Sequence, residues 1–243
     1  CEGVMSVLQQ RIRLELLGGF RIILPGQEPM ELPPHQNNLL LAYLALNPHK
    51  KHTREELGVL FWGDSESSRQ SLRQALYTLR RQLVDAGQES ESILQTNNLT
   101  ISLAVDHIET DLALFEEYTR QGICQSQTQL ALEYLEGAYT LYRGSLLAGY
   151  SAEWLDEERN RVEALFERLC GALMERLEQS GEIGEAIQVG NRLVQVNPLL
   201  EQTYLALIRL HALQGKTPTL LFWRERLKRM LREEFGTSPS VEM

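Results

Sequence analysis

The sequence predicts an α+β domain followed by an all-α domain. Residues 10–105 mix strand-like alternation with helical periodicity, whereas residues 106–243 show helical spacing almost throughout. In the second part, similar residues also recur 34 positions apart. A chain of 243 residues is long enough for two domains, at roughly 100–200 residues per domain.

Two strand-like runs open the first domain. Residues 11–16 alternate polar and apolar side chains, and residues 20–24 form a second run after the Gly18-Gly19 break. A period of two is typical of a half-buried strand. Pro33-Pro34 then ends the β segment.

Three helices are predicted next. The first covers residues 35–46 and stops at Asn47-Pro48. Thr53 and Glu56 have the spacing of a capping box, which starts a short second helix. We expect the apolar face of this helix to consist of Leu57, Leu60 and Phe61. A longer third helix runs over residues 66–86, with apolar residues at helical spacing: Leu72, Ala75, Leu76, Leu79 and Leu83.

A hairpin closes the first domain. Residues 92–96 and 99–103 are strand-like and flank Asn97-Asn98. Asparagine tolerates the positive φ of a tight two-residue turn, so we expect that conformation here. The order ββ-ααα-ββ predicts a winged helix-turn-helix over residues 10–105.

The second domain, residues 106–243, reads as consecutive helices, predicted at residues 112–121, 127–142, 153–179, 184–196, 200–214 and 220–235. A shift of 34 residues pairs Leu173 with Leu207, Gly181 with Gly215 and Leu193 with Leu227. That is the tetratricopeptide period, in which helix pairs stack on their neighbours. Gly190 stands where a large aromatic residue is usual. We therefore predict an all-α, tetratricopeptide-like helical repeat domain.

The formal net charge of −9 is unevenly distributed. Residues 1–105 hold 10 basic and 11 acidic side chains, whereas residues 106–243 hold 14 and 22. Residues 69–84 contain four arginines and no acid. Since a DNA footprint needs a local basic stripe rather than a basic protein, the overall charge does not exclude nucleic acid.

The third helix carries the candidate DNA-reading residues. Away from its apolar stripe it bears Arg69, Gln70, Arg73, Gln74, Tyr77, Arg80 and Arg81. Arginine can bridge guanine O6 and N7, glutamine can pair with adenine N6 and N7, and tyrosine or arginine can contact phosphates. A solvated helix face is the simpler alternative, but such faces usually mix acids with bases.

Two accessory contacts follow from the same layout. The second helix begins at Thr53 and Arg54, which could present amides and a cation to a phosphate. Asn97 and Asn98 form the tip of the predicted wing. Because the wing carries no lysine or arginine, we expect it to contact the DNA backbone rather than bases.

Composition argues against an enzyme and a membrane protein. The five histidines show no metal spacing with one another or with the cysteines. Gly215-Lys216-Thr217 has Leu210 where a phosphate-binding loop needs glycine. The longest apolar run, residues 39–46, is far shorter than the about 20 residues that span a bilayer. We expect no cofactor, no metal and no catalytic residue, with Cys170 buried in a protein of the cytoplasm.

Two blocks of motifs resemble the Streptomyces antibiotic regulatory protein (SARP) family of transcriptional activators. The N-terminal block is similar to its OmpR-type DNA-binding domain: Leu16-Leu17-Gly18-Gly19-Phe20, Leu57 with Phe61-Trp62 and Asp64, and Ser71-Leu72-Arg73-Gln74-Ala75-Leu76 with Leu79-Arg80-Arg81. The C-terminal block is similar to its bacterial transcriptional activator domain: Leu141-Tyr142-Arg143-Gly144, Leu146-Leu147, Gly149, Glu153-Trp154, Glu157-Glu158-Arg159 and Gly236-Thr237-Ser238-Pro239.

The resemblance implies an activator that binds direct repeats in double-stranded promoter DNA, as a homodimer, and engages RNA polymerase. It makes residues 66–86 the recognition helix and points to Arg73, Tyr77, Arg80 and Arg81. Larger relatives append an ATPase or sensor domain. Two alternatives stay open: a tetratricopeptide-like interaction scaffold, or a regulatory fragment of a larger signalling ATPase. A scaffold would leave the acid-free helix unexplained.

Overall fold

The computed structural model describes residues 11–31, 35–48, 50–85, 93–104 and 108–236. They form two compact units. The first extends to Leu114 and also includes Leu141–Arg159; the second comprises Phe115–Thr140 and the chain from Asn160 onward. The predicted order of an α+β part and an all-α part is confirmed. The segment Leu141–Arg159, expected within the helical domain, instead packs with the first unit.

The first unit consists of short strands and three helices. The strands are β1 (Ile12–Glu15), β2 (Arg21–Ile23), β3 (Met30–Glu31), β4 (His52–Thr53), β5 (Leu94–Thr96), β6 (Thr100–Leu103) and β7 (Ile108–Thr110). The helices are α1 (Gln36–Leu46), α2 (Arg54–Trp62) and α3 (Ser68–Asp85). The two N-terminal strands, the three helices and the hairpin are therefore confirmed, and β3, β4 and β7 are additions.

One sheet has the strand order β3-β2-β1-β7. Strand β1 pairs with β2 antiparallel, with Leu14 opposite Ile22, and with β7 parallel, with Leu14 opposite Thr110. The side chains of Ile12 and Leu14 are buried. β1 is thus an interior strand of this sheet, paired with β2 on one side and with β7 on the other.

Helix α2 begins with the predicted capping box. The Thr53 hydroxyl accepts a hydrogen bond from the Glu56 amide at 3.1 Å, and the Glu56 carboxylate accepts one from the Thr53 amide at 2.9 Å. The expectation for Leu60 is wrong, since it is 42% exposed. The buried residues of α2 are Leu57, Gly58 and Phe61. Leu60 lies outside the helix surface that these three residues cover, so its side chain contacts solvent.

Helix α3 buries the whole predicted stripe: Leu72, Ala75, Leu76, Leu79 and Leu83. It begins at Ser68, two residues later than predicted. The Ser68 hydroxyl donates to the Gly63 carbonyl and accepts from the Ser65 amide, so the preceding residues form a hydrogen-bonded turn rather than a helix.

The hairpin belongs to a second sheet of order β4-β6-β5. Thr96 lies opposite Ile101. The positive φ expected at Asn97 or Asn98 is wrong, because Leu147 is the one non-glycine residue with positive φ in the described part of the chain. Instead, the Asn97 side-chain oxygen accepts from the amides of Leu99 and Thr100, at 2.8 and 2.6 Å. The side chain takes the role that backbone geometry was expected to fill.

A buried carboxylate connects the end of β1 to later parts of the chain. Asp111 is fully buried and accepts hydrogen bonds from the amides of Leu16 and Leu17, at 2.7 and 3.1 Å. The Arg143 guanidinium lies 2.8 Å from the Asp111 carboxylate and 3.0 Å from that of Glu15. Burial raises the pKa of Asp111, while the two amides and Arg143 act in the opposite direction.

Residues 141–159 pack against the same end of β1. The Leu147 amide donates to the Leu16 carbonyl at 2.8 Å, and the Gly18 amide donates to the Ser145 carbonyl at 3.1 Å. Gly18 has φ +93°, and a Cβ there would lie 3.1 Å from Arg143, so only glycine fits easily. Arg159 holds the opposite side of the segment by donating to the carbonyls of Leu146, Leu147 and Tyr150.

Among the described residues, six helices follow β7: α4 (Asp111–Cys124), α5 (Thr128–Leu141), α6 (Glu153–Ser180), α7 (Ile183–Val196), α8 (Glu201–Leu213) and α9 (Thr217–Phe235). All six predicted helices are present. Helix α9 starts earlier than expected because Pro218 lies in its first turn, where proline's missing amide and fixed φ are tolerated.

The leucines that recur at a spacing of 34 residues are core residues of the second unit. Leu173, Leu207, Leu193 and Leu227 are all buried. A Cβ on Gly190 would lie 2.8 Å from the Leu207 side chain, which explains why no large residue stands there. Cys170 is buried as predicted, and burial raises the pKa of its thiol to about 12. This thiol therefore packs as a small neutral side chain.

We expect Leu76→Ala to lower the free energy of unfolding by about 2–5 kcal/mol, because it removes buried methyl groups from the α3 stripe. Gln74→Ala, on the exposed side of the same helix, is the matched control and should change it by less than about 0.5 kcal/mol. Chemical denaturation measures both. Equal effects would mean that α3 is rotated from its described orientation.

We expect Asp111→Ala to lower the free energy of unfolding by about 3–5 kcal/mol, because two buried amides lose their acceptor and Arg143 loses one of its two carboxylate partners. Asp156→Ala is the control: its carboxylate is exposed and lies 3.5 Å from Arg159, so about 1 kcal/mol or less is expected. Thermal and chemical denaturation compare the two variants. An Asp111 effect no larger than that of Asp156 would contradict a structural role for the buried carboxylate.

Candidate nucleic-acid interface

The exposed side of α3 presents most of the predicted reading residues together. Arg69, Gln70, Arg73, Gln74, Tyr77 and Arg81 are all exposed. We call these six residues the reading face. Their direction follows from the buried stripe, since a helix that buries one side must present the other. Tyr77 is 60% exposed, which is unusual for a large aromatic side chain without a partner.

The reading face is positive at its amino-terminal end, where it carries Arg69 and Arg73. Helix α3 contains no acid before Asp85, its last residue. Arg69 and Arg73 form no salt bridge with any residue that the structure describes. Guanidinium groups without a carboxylate partner are available to phosphates and base edges.

The reading face carries two kinds of hydrogen-bond donor, the carboxamides of its glutamines and the guanidinium groups of its arginines. Gln70 and Gln74 border a cleft of about 830 Å³ between α1 and α3, which is also lined by Gln36, Asn37 and Asn38. Among the described residues that line this cleft, none carries a carboxylate or an ammonium group. At about 100° per residue, Arg69 and Arg73 lie beside Gln70 and Gln74 on the same exposed side of the helix, and Arg81 lies between the two glutamines. Carboxamide and guanidinium donors are therefore displayed side by side.

Arg80 is placed differently from the other predicted residues. Its guanidinium donates to the Thr96 hydroxyl on β5, and its Nε is buried. Arg80 is therefore half-buried between α3 and the hairpin rather than on the reading face. Sequence periodicity places it at the edge of the exposed side but does not reveal the hairpin beside it.

Arg54 also contacts the hairpin. Its Nε donates to the Asn97 carbonyl at 2.9 Å, and its amide donates to the Leu99 carbonyl at 3.0 Å. Asn97 and Asn98 are exposed at the tip, as expected. A cation from α2 thus lies beside a wing that has none of its own.

Leu99 is a tip residue that the sequence analysis missed. Its side chain is 75% exposed. An apolar side chain next to an Asn-Asn turn is the signal that could have identified it. Apolar side chains at such tips can pack against sugar or base surfaces in a minor groove.

The expected phosphate site at Thr53 is already occupied by the protein itself. The amides of Thr53, Arg54 and Glu56 donate to Glu56, Leu99 and Thr53 respectively. Hydrogen bonds from Thr53 lower the pKa of Glu56, so a carboxylate stands at this helix end at neutral pH. Among the predicted contacts at this helix end, the geometry therefore favours the Arg54 guanidinium over the Thr53 amide.

No group of three or more potential metal ligands occurs among the residues that the structure describes. Within the same residues, no helix is both long enough and apolar enough to span a bilayer.

Comparison with known proteins matches both halves of the chain. Residues 110–243 match the model of the bacterial transcriptional activator domain, and residues 27–99 match that of the C-terminal domain of transcriptional regulatory proteins. A search of curated protein sequences gave no match.

Among solved structures, the chain is similar to Mycobacterium tuberculosis EmbR in complex with a low affinity phosphopeptide. The two are 20% identical, with a TM-score of 0.79. The match covers 95% of this chain and 62% of that one, so the chain spans under two thirds of EmbR's length. At this identity the likeness establishes the fold.

The match to the activator domain covers more than half of the chain, and an OmpR-type winged helix precedes it. This is the domain pair of the SARP regulators that the sequence motifs resemble. The chain therefore belongs to the bacterial transcriptional activator domain family and has the domain pair of the SARP-type regulators.

Proposed function

We propose that the chain activates transcription by inserting α3 into the major groove of promoter DNA. The observation that carries this proposal is the reading face: its exposed, acid-free side is fixed in direction by a buried stripe on the same helix. A major groove about 12 Å wide accepts a single helix. The positive side chains of α3 would then lie along a negatively charged surface.

The residue types on the reading face match the chemistry of base edges. Arg69 and Arg73 can donate two hydrogen bonds to guanine O6 and N7, and Gln70 and Gln74 can pair with adenine N6 and N7. Tyr77 and Arg81 suit phosphate contacts, which position a protein without reading sequence. We therefore infer a site in which guanine and adenine both contribute to recognition.

The hairpin acts as a wing that contacts the DNA backbone. Arg80 connects it to α3 through Thr96, and Arg54 connects its tip to α2 through Asn97. In this proposal Arg80 is a positioning residue, and Arg54 supplies the positive charge beside the exposed tip residues Asn97 and Asn98. The wing and the recognition helix then meet DNA as one rigid surface.

The assembly on DNA follows from the family resemblance. We infer binding to direct repeats by two copies of the chain side by side, and recruitment of RNA polymerase to the adjacent promoter. The acidic excess of residues 106–243 is compatible with this arrangement, because the positive charge needed for DNA is concentrated on α3.

Arg73→Ala should weaken specific DNA binding by about 1–3 kcal/mol if Arg73 reads a guanine. The fold should be unaffected because the side chain is exposed. Sites selected from a random DNA pool supply the probe, and gel-shift titration against matched non-specific DNA supplies the affinities.

The control for Arg73 is Arg229→Ala, which removes an exposed arginine of α9 and should leave DNA binding unchanged. The wild-type affinity should also fall steeply with salt, because phosphate contacts release counterions. Equal binding by the Arg73 and Arg229 variants, or an affinity indifferent to salt, would argue for a protein-interaction scaffold instead.

Arg80→Ala and Thr96→Val should weaken DNA binding by similar amounts, because both break the connection between α3 and the wing. The double variant should bind no more weakly than either single variant, which corresponds to a coupling energy of about 0.5–3 kcal/mol in a double-mutant cycle. If Thr96→Val binds as the wild type does while Arg80→Ala does not, then Arg80 contacts DNA directly and the positioning role is wrong.

A further inference from the structure

The second unit contains a groove of about 870 Å³ between α6 and α8. The half-buried Leu205 and Ala206 contribute apolar surface to it, and Glu175, Glu178 and Arg209 contribute charged groups. The Glu178 carboxylate forms a 2.6 Å ion pair with Arg209, which joins the two walls. The dimensions are in the range of ligand-binding clefts, about 300–1,000 Å³.

Gly171 lies in the wall of this groove, and no packing contact among the described residues requires a glycine there. It is in the interior of the long helix α6, where glycine is unfavourable relative to alanine. A Cβ at Gly171 would meet no atom within 4 Å, whereas one at Gly190 or Gly122 would come within 2.8 or 2.6 Å of a leucine side chain. Gly190 and Gly122 are therefore required by internal packing. Gly171 instead leaves room for a close approach from outside.

Thr203 supplies an independent sign of a missing partner. It lines the same groove, is 3% exposed, and its hydroxyl has no hydrogen-bond partner among the described residues. A buried hydroxyl left unpaired is destabilising, so native structures usually satisfy it. The neighbouring start of α8 has Leu200 as its N-cap, with no side-chain hydrogen bond. A hydroxyl beside uncapped amides suits a carbonyl oxygen of a peptide backbone.

The charges of the groove favour a basic occupant. Glu175 and Glu178 lie one turn apart on α6, and the nearest cation of the opposite wall, Arg209, is already paired with Glu178. Arg168 lies about two turns earlier on α6, toward the other end of the groove. Residues 106–243 as a whole carry 22 acids against 14 bases. An acidic segment would be repelled by this field, and a basic one attracted.

We propose that the groove binds a short peptide segment of a partner protein in which a large apolar side chain adjoins lysine or arginine. The apolar side chain packs on Leu205 and Ala206, the peptide backbone passes Gly171, and a peptide carbonyl accepts from the Thr203 hydroxyl. The basic side chain meets Glu175, which is exposed. This activity goes beyond DNA reading and does not depend on it.

The test uses the full chain and labelled synthetic peptides of about eight residues, at most about 28 Å long when extended. One set carries leucine or phenylalanine next to two lysines in a glycine-serine background, and a matched set replaces lysine by glutamate. Fluorescence anisotropy should detect binding of members of the lysine set and weaker or no binding of their glutamate counterparts. Absence of binding by the whole lysine set, or equal binding by both sets, overturns the proposal.

The decisive variant is Gly171→Gln, which fills the groove wall with a helix-compatible side chain. It should weaken peptide binding by about tenfold or more. The matched control is Gly184→Gln: Gly184 is also an exposed helical glycine whose Cβ would meet no atom, but it lies on α7 and does not line the groove. Equal peptide affinity of the two variants contradicts the proposal.

Two further variants separate binding from folding. Gly171→Ala should keep or raise the melting temperature while weakening peptide binding, and Thr203→Val should weaken binding without lowering the melting temperature. A lower melting temperature for either variant would assign that residue an internal structural role and overturn its role in the groove. All groove variants should bind promoter DNA as the wild type does. If the wild-type chain does not bind promoter DNA, the DNA proposal is refuted, but the result for peptide binding in the groove still stands.

Discussion

Burial of one apolar stripe on α3 is the constraint on which the reading face depends. Leu72, Leu76 and Leu79 are almost inaccessible to solvent, and burial of such side chains stabilises by about 1.5–3 kcal/mol each. A rotation of the helix by one residue, about 100°, would bring Arg73 into the core without a partner. An unpaired buried charge is far more destabilising than the helix could tolerate. The stripe therefore determines which side chains of α3 are presented to solvent as the reading face.

The buried Asp111 carboxylate has a comparable role for the rest of the first unit. It accepts the amides of Leu16 and Leu17 and binds Arg143, although it lies within the region that matches the activator domain. The folded DNA-binding unit is thus completed by chain that sequence similarity assigns to the next domain. A fragment ending at residue 105 would lack this carboxylate and the whole of Leu141–Arg159. The match to the activator domain begins at residue 110, whereas the contacts within the structure place Asp111 and Leu141–Arg159 in the first unit.

Long periodic elements could be predicted from the sequence, and features set by distant contacts could not. The α3 stripe, the capping box at Thr53 and the six later helices follow from local spacing, so pattern was sufficient. Strands β3, β4 and β7 have two or three residues, too few for a period to be visible. Helical spacing places Arg80 at the edge of the exposed side, but only the position of the hairpin reveals that Arg80 is half-buried. Gly171 and Gly190 are likewise indistinguishable in sequence and differ in what surrounds them.

The central claim, that α3 reads bases in the major groove, is tested most directly by methylation interference on a site selected from random DNA. Methylation of guanine N7 modifies the major-groove edge that Arg69 and Arg73 are proposed to contact. If these contacts form, N7 methylation at particular guanines should block binding, with the same pattern in each of two direct repeats. Interference from adenine N3 methylation in the minor groove alone, with guanine N7 methylation tolerated throughout the site, would contradict it.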